Sequence, residues 1–355
     1  MASSPIKVFL VEDSPVALKI LENLLAESSD IEISGTARNG LEALERIPKI
    51  KPDVICTDLL MGKMDGLELT QQIMAKCPTP ILIVSQAVES HTSDMAVRLL
   101  KAGAVDIFAK PKSGLQEDYK QAQVALISKI KVLSGVKVFT KPIKPALVYP
   151  KPPQVAQSLP ATIPGAYKIL AIGASTGGPQ ALQKVLGQLP ANFPMPVVCI
   201  QHISEGFLLG LVNWMDVECA LTVKIAEDRE LLQPGFVYFA PEQHHLMVDD
   251  RGRCFYSAAA PVGGHRPSIG TTFESLASAY GKGTIAALLT GMGRDGAEGL
   301  HAIAQKGGLT IAQDEASSII YGMPHEAAKL GAARKILDID AIAPFILKSL
   351  SDRHL

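Results

Sequence analysis

Over the first 130 positions apolar residues fall in short runs, at 6–11, 31–37, 53–57, 80–84 and 105–108. Stretches of helical period separate them, clearest at 16–25 and 96–103. Five such βα units predict a parallel sheet with helices on both faces. In sheets of this kind ligands and reacting groups collect at the carboxyl ends of the strands. The second half alternates less regularly. Runs at 168–173, 196–201, 285–290 and 309–313 read as buried strands, and a helix is expected at about 178–187. The stretch 222–256 has short strands and turns and reads as a β-hairpin excursion.

Between the halves the pattern lapses. Seven of the 31 residues from 135 to 165 are proline, four are lysine and none is acidic. Proline lacks an N–H and has a fixed φ, so an extended, semi-rigid linker is expected. The chain of 355 residues thus divides into 1–134, a linker at 135–165, and 166–355. Net charge is −1 overall, and only the linker is basic. No basic stripe or helix-turn-helix follows it, so a nucleic-acid partner is not expected. No window approaches 18 apolar residues, and the first residues carry no signal peptide, so no membrane insertion is expected. Cys56, Cys77, Cys199, Cys219 and Cys254 are scattered without a C-x-x-C, as in reduced thiols of a cytoplasmic protein.

Five polar residues of the first half fall at five strand ends. Glu12 and Asp13 follow the first strand and Asp58 the third; Ser85 ends the fourth and Lys110 the fifth. Converging carboxylates repel unless a cation lies among them, and oxygen ligands of this type suit Mg²⁺. A carboxylate nucleophile, a metal, a hydroxyl and a lysine are the parts needed to accept a phosphoryl group.

In the second half, G-A-S-T-G-G-P (173–179) follows a strand. Its G-x-S-x-G spacing fits a nucleophile elbow at Ser175. By itself it equally fits a serine-capped glycine turn and, less well, a phosphate loop lacking the full signatures. His202 closes the next strand and Asp295 follows the strand at 285–290, so serine, histidine and aspartate could share one edge. The other histidines fit this role less well: His244 and His245 lie in the hairpin region, His265 in a loop, His301 in a helix, and His91, His325 and His354 far from a strand end.

Residues 5–130 resemble a response-regulator receiver domain, of flavodoxin-like fold. The resemblance implies Asp58 as phosphoacceptor, Glu12, Asp13 and Asp58 with the Leu60 carbonyl as Mg²⁺ ligands, and Ser85 and Lys110 as contacts to the phosphoryl group. Gly62 replaces the usual proline of the following loop, and Ile107, beside Phe108, takes the position of the switch aromatic.

The whole chain resembles the chemotaxis protein-glutamate methylesterase family. The segments that carry the likeness are I-G-A-S-T-G-G-P (172–179), Q-H (201–202), P-G-F-V-Y-F-A-P (234–241), H-R-P-S (265–268), L-T-G-M-G-R-D-G-A-E-G (289–299), A-Q-D (312–314) and Y-G-M-P (321–324). Gly270 departs from an aspartate usual after H-R-P-S. The likeness implies an α/β catalytic domain with a mainly parallel sheet, in which Ser175 is nucleophile, His202 base and Asp295 orienter. The N–H groups of Met292 and Thr176 become oxyanion donors, with no cofactor at this site. It also implies methyl-ester hydrolysis and glutamine deamidation on chemoreceptor cytoplasmic helices, and a cognate chemotaxis histidine kinase as phosphodonor. The alternative expectation is a non-catalytic, phosphorylation-gated scaffold.

Overall fold

The computed structural model describes residues 4–86, 90–111, 116–138, 140 and 167–351. It separates into two units, Met1–Val148 with Ser204–Gly210, and Tyr149–Ile203 with Leu211–Leu355. Of the expected linker only 135–138 and 140 are among the described residues; the rest of that expectation lies outside them.

The first unit alternates β1 (Ile6–Val11), α1 (Pro15–Ala26), β2 (Ile31–Ala37), α2 (Gly40–Ile50), β3 (Val54–Thr57), α3 (Gly66–Lys76), β4 (Ile81–Ser85), α4 (Ser90–Ala102), β5 (Asp106–Ala109) and α5 (Gln116–Leu133). All strand pairs are parallel, in the order β2-β1-β3-β4-β5. This is the flavodoxin-like arrangement. Strands β3 and β4 are buried along their whole length, which is why they read as continuous apolar runs rather than alternating ones. Three helix starts are set locally: Ser14, Asn39 and Asp65 each accept an N–H three residues on.

Along the second half come β6 (Ile169–Ala174), α6 (Gly178–Leu186), β7 (Val197–Gln201), α7 (Leu208–Glu218), β8 (Thr222–Ile225), β9 (Phe236–Phe239), β10 (His245–Val248) and β11 (Cys254–Ser257). Then follow α8 (Ile269–Ala279), β12 (Thr284–Leu288), α9 (Ala297–Gln305), β13 (Leu309–Gln313), α10 (Met323–Lys329), β14 (Lys335–Leu337) and α11 (Ile339–Ser351). Seven strands form one parallel sheet in the order β14-β13-β12-β6-β7-β9-β8. The hairpin expected over 222–256 is smaller than that stretch. Strands β8 and β9 form the parallel edge of the main sheet, and only β10 and β11 pair antiparallel. Four-residue strands are too short for their apolar pattern to reveal which partner, or which direction, they pair with.

The chain enters this sheet in the middle, at β6. It runs outward through β7, then returns to β12 on the other side of β6. Strand order reverses there, which opens a crevice at the carboxyl ends of β6 and β12. One core cluster joins the sheet (Ile169, Val198, Ala286), α8 (Phe273, Leu276) and the hairpin (Leu246, Val248, Cys254). Each fully buried valine, leucine, isoleucine or phenylalanine among them contributes roughly 1.5–3 kcal/mol. Burial pushes the Cys56 thiol up to about 12 and that of Cys254 to about 11, so neither is a thiolate at neutral pH. Among the described residues no helix is long and apolar enough to cross a membrane.

Candidate active site

In the first unit the adjacent ends of β1, β3, β4 and β5 gather the expected residues. Carboxylate oxygens of Glu12, Asp13 and Asp58 lie within 4.8 Å of one another. The Lys110 ammonium donates to Glu12 Oε2 at 2.6 Å and to Asp58 Oδ2 at 2.9 Å. Asp58 Oδ1 accepts the Leu59 N–H at 2.7 Å. Burial pushes the Glu12 carboxyl above its usual range, and the nearby Asp58 charge adds to this, against the Lys110 hydrogen bond. Three oxygen donors so close, one of them strained by burial, suit a hard divalent cation. Ser85 is buried at the end of β4 and Lys110 follows β5.

The loop after Asp58 explains its glycines. A Cβ on Gly66 would overlap the Asp58 carbonyl, so only glycine lets α3 start this close. At Gly62 a Cβ would meet nothing within 4 Å, so the departure there costs no packing. Ile107 and Phe108 are both buried in β5.

In the second unit the turn after β6 places Ser175. Gly177 has φ 75°, a left-handed conformation that favours glycine. A Cβ on Gly173 would overlap Ile269, and one on Gly178 would overlap Gln201 Oε1. The turn is tied by Ser175 N–H to the Thr290 carbonyl at 3.0 Å and by Gly178 N–H to the Ser175 carbonyl at 2.7 Å. The buried Gln201 amide donates to the carbonyls of both Ser175 and His202, each at 2.8 Å. It therefore ties the serine turn to the end of β7.

His202 and Asp295 meet at 2.9 Å between Nε2 and Oδ2. Asp295 also accepts Ser268 Oγ and the N–H groups of Ile269 and Gly270, at 2.7–2.9 Å. Burial alone would raise its pKa. The hydrogen bond and charge of His202, with the two backbone donors, outweigh that and bring it down to about 2. The ionised carboxylate only accepts, so Nε2 carries a proton, and in the neutral imidazole it is Nδ1 that holds the lone pair. His202 Nδ1 is buried and has no hydrogen-bond partner among the described residues. Ser175 is likewise buried, with its turn against that of Gly291: a Cβ on Gly291 would lie 2.6 Å from Ser175 Cβ. Met292 follows in that turn, and Thr176 follows Ser175 with its carbonyl bonded to Thr290 Oγ1 at 3.0 Å. At Gly270 a side chain would begin 3.1 Å from Asp295 Oδ1.

Residues set aside in the sequence also belong here. The His265 ring stacks on that of His202, centroids 3.8 Å apart and planes within 4°. A tight turn through Gly263 and Gly264, closed by paired backbone bonds between Val262 and His265, presents it. Ser268 Oγ bonds Asp295, and the Ser268 N–H in turn donates to His245 Nδ1 at 3.1 Å. The H-R-P-S and Q-H segments were the available signals for His265, Ser268 and Gln201; a loop position hid the stack.

Both halves of the chain are similar to known proteins. A response regulator receiver domain model matches residues 8–118, and a CheB methylesterase model matches residues 170–346. The chain is 39% identical over 344 residues to a Myxococcus xanthus protein-glutamate methylesterase/protein-glutamine glutaminase, covering 97% of this chain and 96% of that one. It is 40% identical to a Methanospirillum hungatei protein of the same description, covering 98% and 99%. The crystal structure of the Thermotoga maritima CheB methylesterase catalytic domain is similar at 37% identity, with TM-score 0.50, over 52% of this chain and 99% of that one. The chain belongs to the family of CheB methylesterases that carry a response-regulator receiver domain.

Proposed function

We propose that Ser175, His202 and Asp295 hydrolyse glutamate γ-methyl esters on chemoreceptor cytoplasmic helices, with release of methanol, in a protein whose activity is regulated by phosphorylation. The observation that carries the reading is the imidazole of His202, fixed through Nε2 on Asp295 with Nδ1 left unbonded. Nδ1 is thus the base, the reverse of the more familiar use of Nε2. It takes the Ser175 proton as Oγ bonds to the ester carbon. The proton then passes to the methoxide as the C–O bond breaks, leaving an acyl-enzyme. Water, deprotonated by Nδ1, releases the glutamate and restores Ser175. The N–H groups of Met292 and Thr176 are the proposed donors to the oxyanion. The same acyl step with ammonia as leaving group deamidates glutamine. A non-catalytic scaffold would have no use for a buried, oriented imidazole with an open nitrogen.

In the first unit Asp58 is the proposed phosphoacceptor for a chemotaxis histidine kinase, with Ser85 and Lys110 contacting the phosphoryl group. Glu12, Asp13 and Asp58, with the Leu60 carbonyl, would hold Mg²⁺, whose charge offsets that of the phosphoryl group. The domain division proposed is 1–134, linker 135–165 and 166–355, in a cytoplasmic protein. Methanol release from methylated receptor membranes tests the enzyme reading. Ser175→Ala is expected to lose at least about 10³-fold in rate; release equal to wild type overturns it.

A further inference from the structure

The β10–β11 hairpin stands outside the main sheet, and its placement bears on the reacting groups. Helix α8 begins at Ile269, capped by Ser268, whose Oγ accepts the Thr271 N–H at 3.2 Å. Three of the four donors to Asp295 come from consecutive residues here: Ser268 Oγ, Ile269 N and Gly270 N. The direction of the carboxylate, and through it the plane of His202, is therefore set by where this first turn sits.

Strand β10 is hydrogen-bonded to this helix at three points. Ser268 N donates to His245 Nδ1 at 3.1 Å, Thr272 Oγ1 donates to the Leu246 carbonyl at 2.7 Å, and Val248 N donates to Ser275 Oγ at 3.1 Å. Positions 268, 272 and 275 share one face of the helix, so strand β10 is stitched along it. At the end nearest Asp295 the stitch is a histidine. His245 is 1% exposed and Ser268 0%. His245 Nε2 bonds the Ala260 carbonyl at 3.1 Å, so Nε2 carries the proton and Nδ1 is the acceptor. The neutral ring bridges the loop at Ala260 and the Ser268 N–H.

We propose that His245 and Ser268 are positioning residues for hydrolysis: His245 fixes the first turn of α8, and Ser268 holds the Asp295 carboxylate that orients His202. The proposal rests on the triad reading above.

The full-length protein, assayed for methanol release from methylated receptor membranes, tests it. Wild type active and Ser175→Ala inactive first secures the triad. Ser268→Ala is expected to lower kcat about 10- to 100-fold with KM unchanged, since one charge-assisted bond to a buried carboxylate is lost. Ser268→Gly, which spares most of the capping energy, is expected to do the same. Ser268→Thr keeps the hydroxyl and is expected to restore kcat to within about threefold. His245→Leu is expected to follow Ser268→Ala, and His245→Asn, which keeps an acceptor near the Nδ1 position, to recover part of the rate. Thr272→Val breaks the next stitch without touching Asp295, and is expected to lower melting temperature while leaving kcat unchanged. Wild-type kcat in both Ser268→Ala and Ser268→Gly overturns the proposal. So does an equal loss in Thr272→Val, which would make the joint structural only.

Discussion

Replacing Asp295 by asparagine separates charge from shape at the centre of the proposed triad. The side chain keeps its volume, and one oxygen can still accept from Ser268 and Gly270. The other position becomes an NH₂ facing two donors, the Ile269 N–H at 2.7 Å and His202 Nε2–H at 2.9 Å. The imidazole can escape only by moving its proton to Nδ1, which removes the base. A loss of about 10³- to 10⁴-fold in kcat is expected, in line with the worked case of the same substitution in a serine protease. Stability should fall too. The folded pKa of Asp295 is depressed from 3.8 to about 2. With about 1.36 kcal/mol for each tenfold change in proton affinity, this is about 2.5 kcal/mol. Because the folded pKa lies below the unfolded one, this contribution is present in full above the unfolded value and lost as pH falls through the folded one. Urea unfolding at pH 7 should show the deficit of Asp295→Asn, and the gap from wild type should narrow between about pH 4 and pH 2. Activity within tenfold of wild type, or a gap that stays constant down to pH 2, would refute the reasoning.

Other outcomes follow from the same geometry. Gly178→Ala is expected to cost well over about 1 kcal/mol and most of the activity, because its Cβ overlaps the Gln201 amide that ties the serine turn to β7; thermal melting with the esterase assay checks both. His265→Ala is expected to lower kcat about tenfold with little change in KM, and His265→Phe to retain most of it, since the ring face rather than its nitrogens lies on His202. Asp13→Ala is expected nearly to abolish phosphorylation of Asp58 by a small phosphodonor, which in wild type should require Mg²⁺; full labelling in excess chelator would contradict the acidic site. Asp58→Ala is expected to leave methanol release unresponsive to phosphodonor.

Much of the fold was legible because parallel strands buried on both faces write themselves as uninterrupted apolar runs. The runs that became β3, β4, β6, β7 and β12 are of this kind, and Asp58, Ser85, Ser175 and His202 each lie at the end of one of them or directly after it, as Glu12 does after β1 and Lys110 after β5. The edge strands β8 and β14 are short and partly exposed, and β9 beside β8 is only four residues long, so none carries a comparable period, and the hairpin expected there is larger than the one found for that reason.

The site divides along a similar line. Ser175, His202 and Asp295, the proposed triad, were readable because each follows a parallel strand in its own chemical context. His265, His245 and Ser268 were not, because their roles depend on contacts across long separations in sequence: a ring stacked on His202, and a backbone N–H received 23 residues away. A histidine in a loop carries no sign of what its face covers. The glycines fall between these cases. G-x-S-x-G by itself left a nucleophile, a capped turn and a phosphate loop open. Support for the proposed nucleophile comes from close packing: a Cβ would meet Ile269 at Gly173, Gln201 at Gly178 and Ser175 at Gly291. Ile269 opens the helix whose first turn holds Asp295, and Gln201 immediately precedes His202. Close approach at these glycines therefore brings the serine turn against the elements that carry the proposed base and its orienting carboxylate, which a simple capped turn would not require.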